Sequence, residues 1–174
     1  LLALQAIALA SSAIPLYRIS RRKLPEKWAL GVALGYLALA IPMNAALFEF
    51  HLLSFALPLL LLAADAYKRQ NLKHFLIFLT LALLVREDVA LAAIGFPILA
   101  LLDRRGAKWV LAPFLLIITI VAADFFVIKT FALAGAYKFS LYYRWLGTTA
   151  GETLATFFGH PGIILRHLIS RPVI

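Results

Sequence analysis

Continuous apolar runs separated by short basic clusters set the pattern of this chain. Arg18, Arg21, Arg22, Lys23 and Lys27 close the first run. Lys68, Arg69 and Lys73 form a second cluster, and Arg104, Arg105 and Lys108 a third. The runs do not alternate apolar with polar residues, so they read as helices rather than as strands of a barrel. Several approach the ~20 residues that cross ~30 Å of hydrocarbon as a helix. Loops rich in Lys and Arg collect on the cytoplasmic side of a membrane, so all three clusters are expected on one face.

That expectation constrains the stretch from Leu72 to Leu102, which Arg86, Glu87 and Asp88 interrupt. A single helix would put the second and third clusters on opposite faces. Two segments, Leu72–Val85 and Val89–Leu102, return the chain to the same side. A helix of ~14 residues rises only ~21 Å, so the charged tip is expected in a recess walled by protein or water. The other segments follow: one ending near Ile19, then Trp28–Ala40, Leu52–Ala66 and Trp109–Ile128. Trp109 is expected at the membrane interface, and Pro58 and Pro97 are expected to kink their helices. About six membrane segments result, with both ends of the chain on the outer side. The fold class is therefore all-α, a polytopic transmembrane helix bundle over residues 1–130 with an outer-side loop over 131–174. Short interfacial helices are predicted within that loop, near Ala150–Phe158 and after Pro161. Thr149 and Glu152 have capping-box spacing there.

Composition reinforces the membrane reading. The 174 residues are 64% hydrophobic with a mean hydropathy of +0.94, far above an ordinary soluble domain. The net charge of +9 would suggest nucleic acid in a soluble protein; here the positive-inside pattern accounts for it, and no nucleic-acid partner is expected. The absence of cysteine excludes thiolate metal sites and cysteine nucleophiles. The chain starts inside an apolar run without a charged leader or cleavage site, and is read as part of a longer protein.

The acids sort by side. Glu26, Asp65 and Asp103 fall among the basic clusters; Asp65 precedes Lys68 and Arg69 at helical spacing, which suggests a solvated ion pair. Glu49, Glu87, Asp88 and Glu152 fall on the outer side, and Asp124 in the outer half of the last segment. Glu49 and His51 share one outer loop beside the Glu87–Asp88 tip. Such a cluster offers oxygen ligands for Mg²⁺ or Mn²⁺, or a carboxylate whose raised pKa suits a general base. Arg86 neutralising the tip as a structural ion pair is the competing reading. His51 can equally be an interfacial hydrogen-bonding residue, and Asp124 can pair with a neighbouring helix. Arg144, in Y-Y-R-W-L-G, can grip a lipid phosphate or simply anchor at the interface.

Three motifs carry a resemblance: F-E-F-H at 48–51, R-E-D-V-A-L at 86–91, and Y-Y-R-W-L-G-T-T-A-G-E followed by H-P at 160–161. Together they resemble a group of prokaryotic predicted membrane proteins classed by remote similarity with the GT-C glycosyltransferases. The usual first motif reads Phe-Asp-Phe-His-Pro-Glu; here Glu49 replaces Asp, and Leu52 and Leu53 stand at the Pro and Glu positions. Arg86 replaces the usual Lys of the second motif, while Glu87, Asp88, Arg144 and Glu152 match. The resemblance implies transfer of a sugar from a polyprenyl-phosphate donor at the outer face of the cytoplasmic membrane. Glu87 and Asp88 would be catalytic, Arg144, Arg86 and Glu152 would bind substrate, and Glu49 and His51 would hold a metal. GT-C enzymes place a key acid in their first outer loop, a region expected upstream of Leu1. An ion-coupled transporter or flippase with buried acids is a different class that fits the same charges. A non-enzymatic subunit of a membrane assembly is another.

Overall fold

The computed structural model describes residues 1–39 and 50–131, together with positions 152, 155, 156, 159 and 162. All regular structure among them is helical. In chain order the helices are α1 (Leu2–Ser11), α2 (Ala13–Ser20), α3 (Glu26–Ala38), a 3₁₀ turn (Leu52–Phe55), α4 (Ala56–Lys68), α5 (Leu72–Leu83), α6 (Val89–Ala93), α7 (Gly95–Leu102) and α8 (Ala107–Phe131). The chain divides into two compact units, Leu1–Asp124 and Phe125–Ile174.

Among the described residues two stretches, Leu2–Ser20 and Ala107–Val127, are long and apolar enough to cross a membrane unaided. This corrects the expectation of about six. The apolar helices Leu72–Leu83 and Val89–Leu102 are shorter, and α3 and α4 have 13 residues each, which rise about 20 Å. The interruptions have local causes. The α1–α2 junction falls at Ser12, three residues before Pro15. The α6–α7 junction at Ile94 likewise precedes Pro97, whose missing N–H breaks the ladder there. Pro58, expected to kink a helix, instead sits in the first turn of α4, where the backbone N–H groups have no intrahelical partner and none is missed.

The interruption at Leu84–Asp88 folds the chain back. The Phe75 and Phe96 rings lie 5.1 Å apart, edge to face, so the start of α5 is level with the start of α7. At the other end Ala82 packs with Val89 and with Ala56 at the start of α4. Tyr67, Phe75, Leu79, Leu83, Ala90, Ala93, Ala100, Trp109 and Ile117 form the main core. Trp109, expected at the interface, is buried. Its ring meets Tyr67 edge to face at 5.4 Å, and the Arg105 guanidinium lies 4.7 Å above it.

Two of the helices that bound this core end alike. The N–H groups of Gln70 and Asn71 reach back to the carbonyls of Tyr67 and Ala66, and those of Arg104 and Arg105 to Leu101 and Ala100. Each is a Schellman closure, with φ of 57° at Gln70 and 50° at Arg104. These left-handed positions usually hold glycine. The Asn71 side chain then caps α5 by accepting from the His74 N–H at 3.1 Å.

Both turns deliver charge to one place. Asp65 is nearly buried, with its side chain 6% exposed, and accepts from Arg22 and from Arg69 Nε, each at 3.0 Å. Asp103 accepts from the Tyr67 hydroxyl at 3.0 Å and pairs with Lys68 at 3.7 Å. Arg105 donates to the Tyr67 carbonyl at 2.8 Å. The three basic clusters therefore share one end of the bundle, as their charge pattern requires. The reading of Asp65 as a solvated pair is corrected: it is a buried carboxylate shared by two arginines, and Lys68 goes to Asp103 instead.

Replacing Gln70 with Gly should raise stability by about 0.5–1 kcal/mol through relief of the left-handed backbone, whereas Gln70→Val should lower it; denaturant or thermal unfolding in detergent measures both. Asp65→Asn should cost about 1–3 kcal/mol in the same assay, because it leaves two guanidiniums facing each other without their shared acceptor.

Candidate functional site

At the opposite end of α5 the helix closes with the Leu84 N–H on Thr80 and the Val85 N–H on Ala82. The next three residues are charged, and their carbonyls start α6: Arg86 accepts from Val89, Glu87 from Ala90, and Asp88 from Leu91. The backbone of Asp88 is already helical, at φ −72° and ψ −17°, and its carboxylate makes no capping bond. An extended N-cap conformation usually aims such a side chain at its own helix; here it is released for other contacts.

Those contacts are unequal. Oδ2 of Asp88 lies 2.8 Å from Arg86 Nη2. Oδ1 is buried and has no hydrogen-bond partner among the described residues. An unpartnered buried acceptor typically costs about 1–3 kcal/mol, so its presence calls for a reason. Asp88 also lines a cavity of about 410 Å³. Leu53, Ala56, Leu57 and Leu60 contribute one wall, from the 3₁₀ turn and α4; Val89, Leu91 and Ala92 contribute the other, from α6. Asp88 is the one ionisable residue among the described residues of that lining. The arrangement is an apolar groove with, among the described residues, a single carboxylate at its edge.

The other predicted site residues distribute as follows. Arg86 and Glu87 are exposed beside Asp88. His51 is exposed and immediately precedes the 3₁₀ turn that walls the groove; its backbone N–H donates to Gln5 Oε1 at 2.6 Å. Asp124 is half-buried in α8, and Glu152 is exposed and helical. Glu49 and Arg144 lie outside the described residues, as do Thr149 and Pro161 of the expected outer helices. Among the described residues no three His, Asp or Glu side chains are grouped to hold a metal ion. The hairpin thus brings Arg86, Glu87 and Asp88 beside the segment that follows His51.

Sequence reasoning missed two features. Gln5 is fully buried and fixes the backbone at His51; its signal was available, as the lone amide in L-L-A-L-Q-A-I-A-L-A. The apolar walls of the groove carried no such signal, since Leu and Ala surround every candidate position.

A family model, described as "Predicted membrane protein (DUF2079)", matches residues 1–173. No curated protein matches the chain, and no solved structure does.

Arg86→Gln should change unfolding stability by no more than about 1 kcal/mol, because the Arg86 and Asp88 side chains are 44% and 38% exposed and an ion pair of that kind contributes little. A larger loss in thermal unfolding would mean that the pair is principally structural.

Proposed function

The chain belongs to this family of predicted membrane proteins, and from that premise we propose that it is a GT-C-like glycosyltransferase acting on a polyprenyl-phosphate-linked sugar at the outer face of the cytoplasmic membrane. The observation that carries the reading is the Asp88 carboxylate beside an apolar groove, with Oδ2 held by Arg86 and Oδ1 unpartnered. A polyprenyl chain presents the apolar surface that such a groove accepts. The Asp88 carboxylate takes the proton of the acceptor hydroxyl as the hydroxyl oxygen bonds to the sugar carbon. The bond from that carbon to the phosphate oxygen breaks, and the lipid phosphate leaves with the electron pair. Arg86 orients the carboxylate through the bond to Oδ2.

Glu87 stands next to the reacting carboxylate, and Arg144 and Glu152 are the remaining candidates for holding the donor phosphate and the sugar. Carboxylate oxygens suit Mg²⁺ or Mn²⁺. Among the described residues His51, Glu87 and Asp88 are not grouped to hold such an ion, so the step is assigned to Asp88 and Arg86 without one.

The test supplies the full-length protein with a radiolabelled polyprenyl-phosphate sugar and an acceptor mixture. Asp88→Asn should lower transfer by about 10²–10⁴-fold, the usual contribution of a positioned base, and Glu87→Gln should lower it less. Ala92→Phe, which fills the groove from an exposed position, should raise KM for the lipid donor while leaving the unfolding midpoint unchanged. Transfer that is the same in wild type, Asp88→Asn and Glu87→Gln rejects the assignment. Gradient-dependent uptake into liposomes without covalent product would favour an ion-coupled transporter.

A further inference from the structure

The basic end holds a second cavity, of about 230 Å³, between α2, α4 and α5. Its polar lining is cationic. Arg18 from α2, Arg69 just after α4 and His74 from the first turn of α5 all border it, and Asp65 is the one acid among its described residues. That acid is already neutralised: Arg22 holds Oδ1 and Arg69 Nε holds Oδ2. Arg69 engages Asp65 through Nε, so its two terminal nitrogens are not spent on that bond. None of the ion pairs among the described residues involves Arg18 or His74. Asn71, also in the lining, uses its side-chain oxygen on the His74 N–H, which leaves its amide NH₂ as a donor. The cavity therefore offers two guanidiniums, an amide and an imidazole with no competing free acid. Guanidinium forks of this kind match phosphate oxygens.

One helical turn deeper the lining changes character. Leu62 lies one turn before Ala66 on α4, and Phe78 one turn beyond His74 on α5, with the His74 and Phe78 rings 6.4 Å apart. Donors at the end of the bundle and apolar walls further in form a gradient that an amphiphile matches and a free anion does not. The surroundings favour the same class of ligand. Eleven of the seventeen Lys and Arg residues fall in the three basic clusters, opposed by Glu26, Asp65 and Asp103 alone, and such surfaces draw anionic lipids.

We infer that the Arg18–Arg69–His74 cleft binds the phosphate headgroup of an anionic membrane lipid, with the start of an acyl chain between Leu62 and Phe78. The cleft lies at the other end of α5 from Asp88 and takes no part in the transfer reaction proposed above.

The experiment places the full-length protein in nanodiscs of phosphatidylcholine containing a minority of phosphatidylglycerol. Lipid retained after detergent extraction is then counted by native mass spectrometry. Wild type should retain phosphatidylglycerol over phosphatidylcholine, and Arg18→Gln with His74→Gln should weaken that retention by about tenfold. The double variant Lys23→Gln with Lys108→Gln removes charge from the same end outside the cleft, and should retain the lipid as wild type does. Equal loss in both double variants would show diffuse attraction and overturn the site, as would no loss in the cleft variant. Displacement of the lipid by millimolar inorganic phosphate would assign the cleft to a free anion and overturn the lipid reading. Unmodified protein supplies an arm that needs no variant. A photoreactive phosphatidylglycerol should label the peptides around Arg18 and Leu62–Phe78, and labelling confined to other segments overturns the proposal.

Discussion

Two carboxylates at one end of the bundle hold the arrangement on which everything else depends. Helix surfaces made of Leu, Ala and Ile gain little by meeting one another rather than lipid, so apolar contact sets their register weakly. Asp65 supplies direction: it joins Arg22, which follows α2, to Arg69 at the end of α4. Asp103 does the same for α7, taking the Tyr67 hydroxyl and Lys68 from α4. With the end of α4 and the end of α7 pinned level, the chain between them has to turn at the far end. The hairpin at Leu84–Asp88 is that turn. The tip is thus positioned by ion pairs that lie a full helix length away from it.

Much of this was legible in the sequence, for electrostatic reasons. Basic clusters that recur between apolar runs demand a common face, and three charges inside Leu72–Leu102 demand a break. Both demands follow from the high cost of charge in hydrocarbon. What stayed illegible depended on partners far away in the chain. Asp65 has Lys68 and Arg69 nearby, and i,i+4 spacing predicts the Arg69 bond correctly. Nothing local announces Arg22, forty-three positions earlier, and that second arginine is what permits the burial. Trp109 has the composition of an interface residue, but the Arg105 guanidinium and the Tyr67 ring enclose it. The junctions at Ser12 and Ile94 were not foreseen because apolar composition continues across them, where the backbone does not remain a single regular helix. Pro15 and Pro97 mark those junctions from three residues beyond.

The candidate site was legible to a different depth. A charged triplet in an apolar run marks a location without ranking its members. The ranking comes from rotamers and walls. Arg86 takes one oxygen of Asp88 and leaves the other, while the 3₁₀ turn after His51 and the start of α6 build a groove from residues indistinguishable by type from their neighbours. Packing of that sort is written in which Leu faces which helix, and no spacing rule reports it. The same limit explains why Gln5 was overlooked. A lone amide in a helix is unremarkable until the backbone at His51 is found bonded to it.

The short helices and the depth of the charged tip are one constraint seen twice. From its Asn71 cap, α5 has 12 residues and rises about 18 Å, against roughly 30 Å of hydrocarbon. If the basic end rests at one interface, the tip stops well short of the other. Arg86, Glu87 and Asp88 would then meet lipid unless something else surrounds them. The 3₁₀ turn and α4 pack against α6 at that level, so protein forms the sides of the groove beside Asp88. A hairpin with longer arms would lift the same charges into water and remove the need for protein around them. Shortness, which removes these helices from the set that can span unaided, is therefore also what requires the walls that α4 and α6 supply around Asp88.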